Sequence, residues 1–310
     1  MFPVLILEEF LVIGLAVLIN VAFLTLLERK ILGIRQIRVG PNKVGAWGLF
    51  QPGADAIKLF TKRISFLGPI NKFLFFFRPA LRLGLALLFF ILISPLPGGA
   101  GLSLGLLMLL MLLSLNVYPL LGAGWSSNRK YALLGGLRGV AQTIAYEIRL
   151  RFLILAVFFS WGGTALSGAR GPSPVIALVG ALSPLFFLWG VSCVAELNRT
   201  PFDFAEGESE LVSGFNIEYG AVQFAIVFMA EYGIIYFLSI LTAYLFFGLR
   251  GIGGGAILAG VLLAGSTVWI RVTLPRFRYD LLMALTWKHI LPWALGACQL
   301  GGLLGLFCLN

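Results

Sequence analysis

Long apolar segments recur along the whole 310-residue chain, and they constrain its fold more than any other feature. Hydrophobic residues make up 59% of the sequence and charged residues only 12%. Soluble domains are about 45–50% apolar, whereas a helix that crosses a bilayer needs roughly 20 consecutive apolar residues. Inside lipid every backbone polar group must be hydrogen-bonded, so such segments become helices. The sequence therefore predicts an all-α, polytopic membrane protein in which residues 1–310 form a single integral membrane domain.

Eight transmembrane helices are predicted from these segments. Their expected ranges are Pro3–Leu27, Phe73–Ile93, Leu102–Ala123, Tyr131–Trp161, Pro174–Leu197, Ile217–Phe247, Ile252–Arg271 and Leu281–Phe307. A short amphipathic helix is also predicted in the loop after the first span, over Gln51–Phe60. One interpretation places this helix flat on the lipid surface. The other makes it the wall of an entrance for something that arrives sideways from the membrane.

Lysine and arginine are distributed unevenly between the two sides of this topology. The loop Glu28–Lys72 carries nine of them, whereas the opposite connections hold only Arg170 and Arg250. Positive charge marks the side from which helices are inserted, so the basic side is expected to be the matrix or cytoplasmic side. With eight spans both termini lie on the other side. Arg78 and Arg82 enter the second span from the basic side and are expected to snorkel back to it.

A dense acidic stretch, Glu196–Glu218, falls on the same basic side. It holds six of the chain's 13 acidic residues: Glu196, Asp203, Glu206, Glu208, Glu210 and Glu218. Three of them stand two positions apart, so an extended loop would place them on one side. Carboxylates packed this closely repel one another unless cations or water intervene. The stretch therefore indicates a functional loop.

Other ionisable residues lie inside or at the ends of the predicted spans. They are Glu28, Arg138, Glu147, Arg149, Arg151, Glu196, Glu218 and Glu231, with Tyr146, Tyr219 and Tyr232 beside three of the acids. A charge at mid-bilayer costs roughly 2.5–3.5 kcal/mol on the lenient scales, so these groups face protein or a water-filled cavity. Two interpretations remain open: ion pairs that lock the packing of the helices, or a chain of groups that passes protons.

Several kinds of site find no support in the sequence. The three cysteines have no CxxC spacing, and His289 is the single histidine, so neither a metal site nor a haem site is predicted. No phosphate-binding GxxxxGK[ST] loop is present. We therefore expect no metal and no redox centre bound by this chain itself, and no nucleic-acid partner.

Five segments, in order along the chain, resemble the family of chain 1 of respiratory NADH:quinone oxidoreductase, complex I. They are LLERKILGIRQIRVGPNKVG at 26–45, QPGADAIKLFTK at 51–62, NRKYALLGGLRGVAQTIAYE at 128–147, NRTPFDFAEGESELVSGFNIEY at 198–219 and PRFRYDLLM at 275–283. The resemblance implies a core membrane-arm subunit of a proton-pumping enzyme, NADH:ubiquinone reductase. In that family the subunit forms the chamber for ubiquinone, the substrate, and begins the path that couples its reduction to proton translocation. FMN and iron–sulfur clusters belong to partner subunits.

The resemblance also implies roles for individual residues. Those expected around the quinone chamber and its entrance are Glu28, Arg29, Arg38, Asp55, Arg199, Asp203, Arg276 and Arg278. Those expected on the proton and coupling path are Arg138, Tyr146, Glu147, Glu196, Glu206, Glu208, Glu210, Glu218, Glu231 and Tyr232. The implied partners are the hydrophilic arm, the small membrane subunits, the antiporter-like subunits and membrane lipids.

Arg149 and Arg151 depart from the family pattern, in which small or apolar residues follow the Tyr146-Glu147 pair. We expect both arginines to snorkel to the far interface; the alternative is pairing with an acid of a neighbouring subunit. Two other functions remain: the anchor subunit of a membrane-bound hydrogenase, and an independent proton-coupled transporter. The short chain and its 27 phenylalanines favour the mitochondrial inner membrane, with both termini on the intermembrane-space side, over a bacterial plasma membrane.

Overall fold

The computed structural model describes residues 2–63, 70–93, 105–161, 183–205, 207, 214–247 and 254–309. Within these ranges the regular structure is entirely helical, as predicted. The helices are α1 (Phe2–Arg35), α2 (Gln51–Thr61), α3 (Lys72–Ile93), α4 (Gly105–Leu115), α5 (Val117–Ser126), α6 (Lys130–Trp161), α7 (Ser183–Glu196), α8 (Ala221–Phe247), α9 (Gly254–Thr273), α10 (Tyr279–Ala284) and α11 (Leu291–Leu309). Short 3₁₀ turns cover Ala46–Gly48 and Gly214–Asn216, and a π-helical turn, Leu285–Ile290, joins α10 to α11.

Six of the described helical stretches are long and apolar enough to cross a membrane. They correspond to predicted spans one, two, three, six, seven and eight. The remaining two predictions fall on α6 and α7. Helix α6 runs for 32 residues but carries several charges, and α7 is described over 14 residues. The fold class is therefore confirmed as a polytopic all-α membrane protein.

Two predicted spans are interrupted, and a proline lies just after each interruption. The third is divided at Asn116 into α4 and α5, because Pro119 lacks an N–H and its ring clashes with the carbonyl four residues earlier. The eighth contains the π-helical turn directly before Pro292, where the helix widens by one residue per turn. The sixth begins four residues later than predicted, at Ala221. The predicted amphipathic helix is present as α2, with Pro52 in its first turn.

Helix α8 lies at the centre of the bundle, with 72% of its membrane window buried inside the protein. It packs against α9, α3, α1 and α2, and α6 packs against α11, α5 and α7. The largest hydrophobic cluster joins α1, α3, α4, α6, α7, α8, α9 and α11 around fully buried residues such as Phe89, Trp189 and Phe237. This packing brings the ends of α1, α7 and α9 to the same side as the start of α8.

The contact between α6 and α11 depends on Gly301. A methyl group at this position would overlap the backbone of Ala156, whereas one at the adjacent Gly302 would meet nothing within 4 Å. Forcing extra atoms into a packed contact typically costs about 1–3 kcal/mol. We therefore expect Gly301→Ala to lower the amount of assembled protein on native gels and its melting temperature, with Gly302→Ala unchanged. Equal behaviour of the two variants would contradict the close packing of α6 on α11.

Candidate functional site

Glu28, near the C-terminal end of α1, is the centre of a buried polar cluster. Its carboxylate is 3% exposed and accepts hydrogen bonds from Tyr232 of α8 and from Arg271 near the end of α9. Arg199, in the loop after α7, lies 3.4 Å from the same carboxylate through its Nη1 atom. Four separate elements therefore meet at one carboxylate, which we call the Glu28 cluster (Glu28, Arg199, Tyr232, Arg271).

The guanidinium of Arg199 also stacks on the ring of Tyr232, with Cζ 4.6 Å from the ring centroid. Burial alone would lower the pKa of Arg199, but Tyr232 and Glu28 act in the opposite direction and hold that pKa above its ordinary value. Arg199 is therefore a permanent cation at the centre of the cluster. Its electrostatic interaction extends to Glu231, the residue before Tyr232 on α8.

Glu231 forms a buried ion pair with Arg82 of α3, at 3.0 Å, and both side chains are about nine-tenths buried. Arg78, one helical turn earlier, is 4% exposed and lies over the rings of Phe215 and Tyr219 at 5.2 and 5.1 Å. The prediction that Arg78 and Arg82 snorkel to the surface was wrong. Aromatic faces from the segment before α8 and a carboxylate of α8 hold both cations inside the bundle.

The end of α7 brings Glu196 within electrostatic range of Arg82, Glu147 and Arg151. Gln142 of α6 fixes this end, because its amide donates to the carbonyls of Ala195 and Phe202 at 2.9 and 2.6 Å. Glu196 is 4% exposed. It makes no ion pair with a described residue, and its Oε2 atom has no hydrogen-bond partner among them.

Arg149 and Arg151 do not snorkel, contrary to the prediction. Arg151 pairs with Glu147 one turn earlier on the same helix and donates to Ser114 at 2.6 Å. Arg149 is fully buried, with its guanidinium carbon 3.7 Å from the ring centroid of Tyr146. Both cations stay inside the bundle because acids and an aromatic face lie within reach of their side chains. The alternative, pairing with a neighbouring subunit, is not needed for Arg151.

Four ion pairs and three longer-range electrostatic interactions link the charged groups of the bundle into one row. The row runs in the order Arg271, Glu28, Arg199, Glu231, Arg82, Glu196, Arg151 and Glu147. We call it the charge row. Four carboxyls and four guanidiniums alternate along it, so the acids are not in excess here. A row of this kind can transmit a change of charge at one end, because each of its six inner groups interacts with two oppositely charged neighbours.

Four other predicted site residues form two further ion pairs. Arg29 pairs with Asp55 of α2 at 2.6 Å, and Arg276 pairs with Asp203 at 3.0 Å. An open cleft of about 740 Å³ lies between the loop after α1 and the start of α2. Its lining includes Arg29, Arg38, Lys43 and Gln51. The cleft and α2 lie on the same side of the molecule as the end of α1, which carries Glu28.

Three further predicted residues occupy separate places. Glu218 pairs with Arg129, just before α6, at 2.9 Å. Arg138 lies 6.0 Å from the ring centroid of Tyr279. Arg278 pairs with Asp280, and both side chains are exposed. Glu206, Glu208 and Glu210 lie outside the described residues.

The sequence-based prediction missed Arg82, Arg271 and Gln142. Arg271 was assigned only as the end of the seventh span, and Arg82 as a snorkelling residue. The signal available for both was a cation within an apolar helix with acids elsewhere in the spans, which is the condition for internal pairing. Gln142 carried a similar signal, since an amide in mid-helix needs partners when it is buried.

Comparisons with known proteins find relatives that match most of the chain. The family described as NADH dehydrogenase matches residues 8–301. NADH-ubiquinone oxidoreductase chain 1 of Anopheles gambiae is 47% identical over 285 residues, covering 92% of this chain and 91% of that protein. The proteins of the same name from Branchiostoma lanceolatum and Balaenoptera physalus are 47% and 46% identical. The match to the Branchiostoma lanceolatum protein covers 92% of this chain and 91% of that protein. The match to the Balaenoptera physalus protein covers 92% of this chain and 92% of that protein.

Proposed function

The chain belongs to the NADH dehydrogenase family, as a membrane subunit of complex I, and from this premise we propose that it forms the quinone chamber and begins the proton-coupling path. The substrate is ubiquinone. FMN and iron–sulfur clusters lie in partner subunits, and this chain binds none of them. The protein resides in the mitochondrial inner membrane with both termini on the intermembrane-space side. Its partners are the hydrophilic arm, the small membrane subunits and the antiporter-like subunits.

The single observation that carries this proposal is the charge row. One end, the Glu28 cluster, is close to the side on which α2 and the basic cleft lie. The other end, Glu147, is buried on α6, where its partner Arg151 donates to Ser114 of α4. A quinone chamber at the first end and a proton path at the second would be joined by the row.

Ubiquinone reduction takes up two electrons, from a partner's cluster, and two protons. A change of charge or protonation beside Glu28 would alter its attraction for Arg199, which also interacts with Glu231. Because Arg82 interacts with both Glu231 and Glu196, the change of charge reaches the middle of the row. The chain's own contribution is therefore to hold cations that respond to the chamber and to move a proton at a carboxyl.

In this proposal Arg151 is the group that moves between two positions. It pairs with Glu147 in this structure and also lies within electrostatic range of Glu196. A shift of the guanidinium from one carboxylate to the other would release one acid to take a proton and oblige the other to give one up. Such a two-position group is what coupling between distant sites requires. Arg149, beside Tyr146 and Glu196, keeps a second positive charge near the exchange.

Replacing Arg151 by methionine tests this step. We expect the number of protons translocated per electron to fall by at least about half and coupled turnover to fall roughly tenfold. Without the guanidinium the proton exchange between Glu147 and Glu196 is lost, and a positioned proton-transfer group contributes at least that much. Electron entry from NADH, assayed with ferricyanide, should be unchanged. Lys130→Met, an exposed change at the start of the same helix, is the matched control. Normal pumping in Arg151→Met would contradict the proposal.

A further inference from the structure

An apolar cavity of about 670 Å³ lies between α7, α8, α9 and the π-helical turn, away from the cleft beside α2. Its wall includes Phe186, Leu238, Leu263, Leu274 and Leu285. Along α9 the lining runs from Leu263 to Leu274, which is ~16 Å at ~1.5 Å per residue. The cavity is therefore elongated along the helix axes, the direction in which lipid chains lie in a bilayer.

The hydroxyl and indole groups that line this cavity already have hydrogen-bond partners. Each of four hydroxyls donates, at 2.6–2.8 Å, to a carbonyl three or four residues earlier in its own helix: Ser239, Thr242, Ser266 and Thr267. The indole N–H of Trp189 donates to Thr242 at 3.0 Å. The exposed His289 also borders the cavity. A ligand lying along this wall gains packing contacts and few hydrogen bonds, which favours a hydrocarbon chain over a polar molecule.

We propose that this cavity binds one acyl chain of a membrane phospholipid. Helices α8 and α9 are apolar enough to cross a membrane, so the cavity lies at the depth of the acyl chains. A methylene group is similar in size to a water molecule, which occupies ~30 Å³, so about 20 such groups fit. At the basic side the wall includes Phe277, beside Arg278, which is exposed and pairs with Asp280 through its Nε atom. A guanidinium has five N–H donors, so it can also donate to a lipid phosphate at that level, which favours a phospholipid over a neutral isoprenoid tail.

The cavity also adjoins the Glu28 cluster. Four side chains line both the cavity and a small void beside Glu28, Arg199 and Arg271: Val194, Leu197, Ile235 and Thr267. A chain in the cavity therefore packs against the outer face of the wall whose inner face supports the cluster. Removal of the lipid should loosen that support and slow quinone reduction. This consequence rests on the proposed role of the cluster, whereas lipid binding itself does not.

The test uses the detergent-purified complex and a phosphatidylcholine with a diazirine in the middle of one acyl chain. After photolysis, mass spectrometry locates the labelled peptides. Gly190→Leu fills the cavity, because Gly190 lines it and a Cβ atom placed there meets nothing within 4 Å, which leaves room for the leucine side chain to enter. Gly84→Leu, on α3, is the matched control, since that glycine has equal room and lies outside the cavity.

We expect label on the cavity-lining peptides of α7 and α9 in the unmodified complex. Gly190→Leu should reduce it at least about fivefold, since close-packed space cannot hold both groups, and Gly84→Leu should retain it. Should Gly190→Leu fail to assemble, Ser266→Leu fills the cavity from α9. Absence of label in the unmodified complex, equal label in the filled variant, or stronger labelling by a diazirine-tailed quinone would each overturn the lipid assignment. A complex that is labelled in the cavity when lipid is supplied, but keeps its turnover when lipid is removed, would overturn only the link to the Glu28 cluster.

Discussion

Replacing Glu28 by glutamine is expected to abolish most quinone reduction while leaving electron entry from NADH intact. The carboxylate holds Arg199, Arg271 and Tyr232 together, and glutamine removes its charge with little change of shape. Two guanidiniums then face each other without their counter-charge. Loss of one partner from a buried pair typically costs ~3–5 kcal/mol. Arg271 is about a third exposed, so we expect the free-energy cost to lie near the lower end of this range.

The measurement compares NADH:ubiquinone with NADH:ferricyanide activity in the same membranes. We expect the first to fall at least about tenfold, which corresponds to roughly 1.4 kcal/mol of lost transition-state stabilisation, and the second to be unchanged. Glu28→Asp should recover part of the activity because it keeps the charge. Glu8→Gln, an exposed change on the same helix, is the control. Full ubiquinone reductase activity in an assembled Glu28→Gln complex would rule out a chamber at this cluster.

Replacing Glu196 by glutamine is expected to have the largest effect on proton translocation. Glu196 is buried, and among the described members of the charge row it is the carboxyl without an ion pair. A proton carrier must be able to bind and release a proton, and an amide can do neither. A carboxyl that merely fills space or accepts hydrogen bonds would tolerate the same change. The substitution therefore separates the two interpretations that the sequence left open.

We expect the protons translocated per electron to fall by at least about half in Glu196→Gln, with coupled turnover reduced ~10-fold or more. The assay is proton uptake or release by proteoliposomes during quinone reduction. Asp280→Asn, an exposed carboxyl paired with Arg278, is the control and should pump normally. Unchanged stoichiometry in Glu196→Gln would make the charge row a set of structural ion pairs.

The sequence predicted the helices well because their signal is local. Apolar length, and Pro52 at the start of α2, are properties of one segment and need no knowledge of its neighbours. The interruptions at Asn116 and before Pro292 were missed because apolar length alone does not register a proline within a continuous run. The missing N–H of each proline marks a position where a helix can be interrupted, but α3 continues through Pro79, so the sequence alone does not tell which prolines interrupt.

The positions of the charged side chains were harder to predict from the sequence, because they depend on contacts between distant segments. Arg82 and Arg149 were expected to snorkel, since an isolated helix in lipid offers no other solution. In the folded chain Glu231 lies 149 residues from Arg82 in sequence and 3.0 Å from it in space. Glu28, Arg199 and Tyr232 were selected as site residues through the resemblance, but their meeting point and Arg271 became apparent only from the packing of α1, α8 and α9.

The most direct measurement is a structure of the whole complex with a ubiquinone analogue bound. We predict that the tail passes beside α2 and that the analogue lies in van der Waals contact with at least one member of the Glu28 cluster. An analogue bound elsewhere, with no member of this cluster in contact, would contradict the assignment of the quinone chamber to this chain.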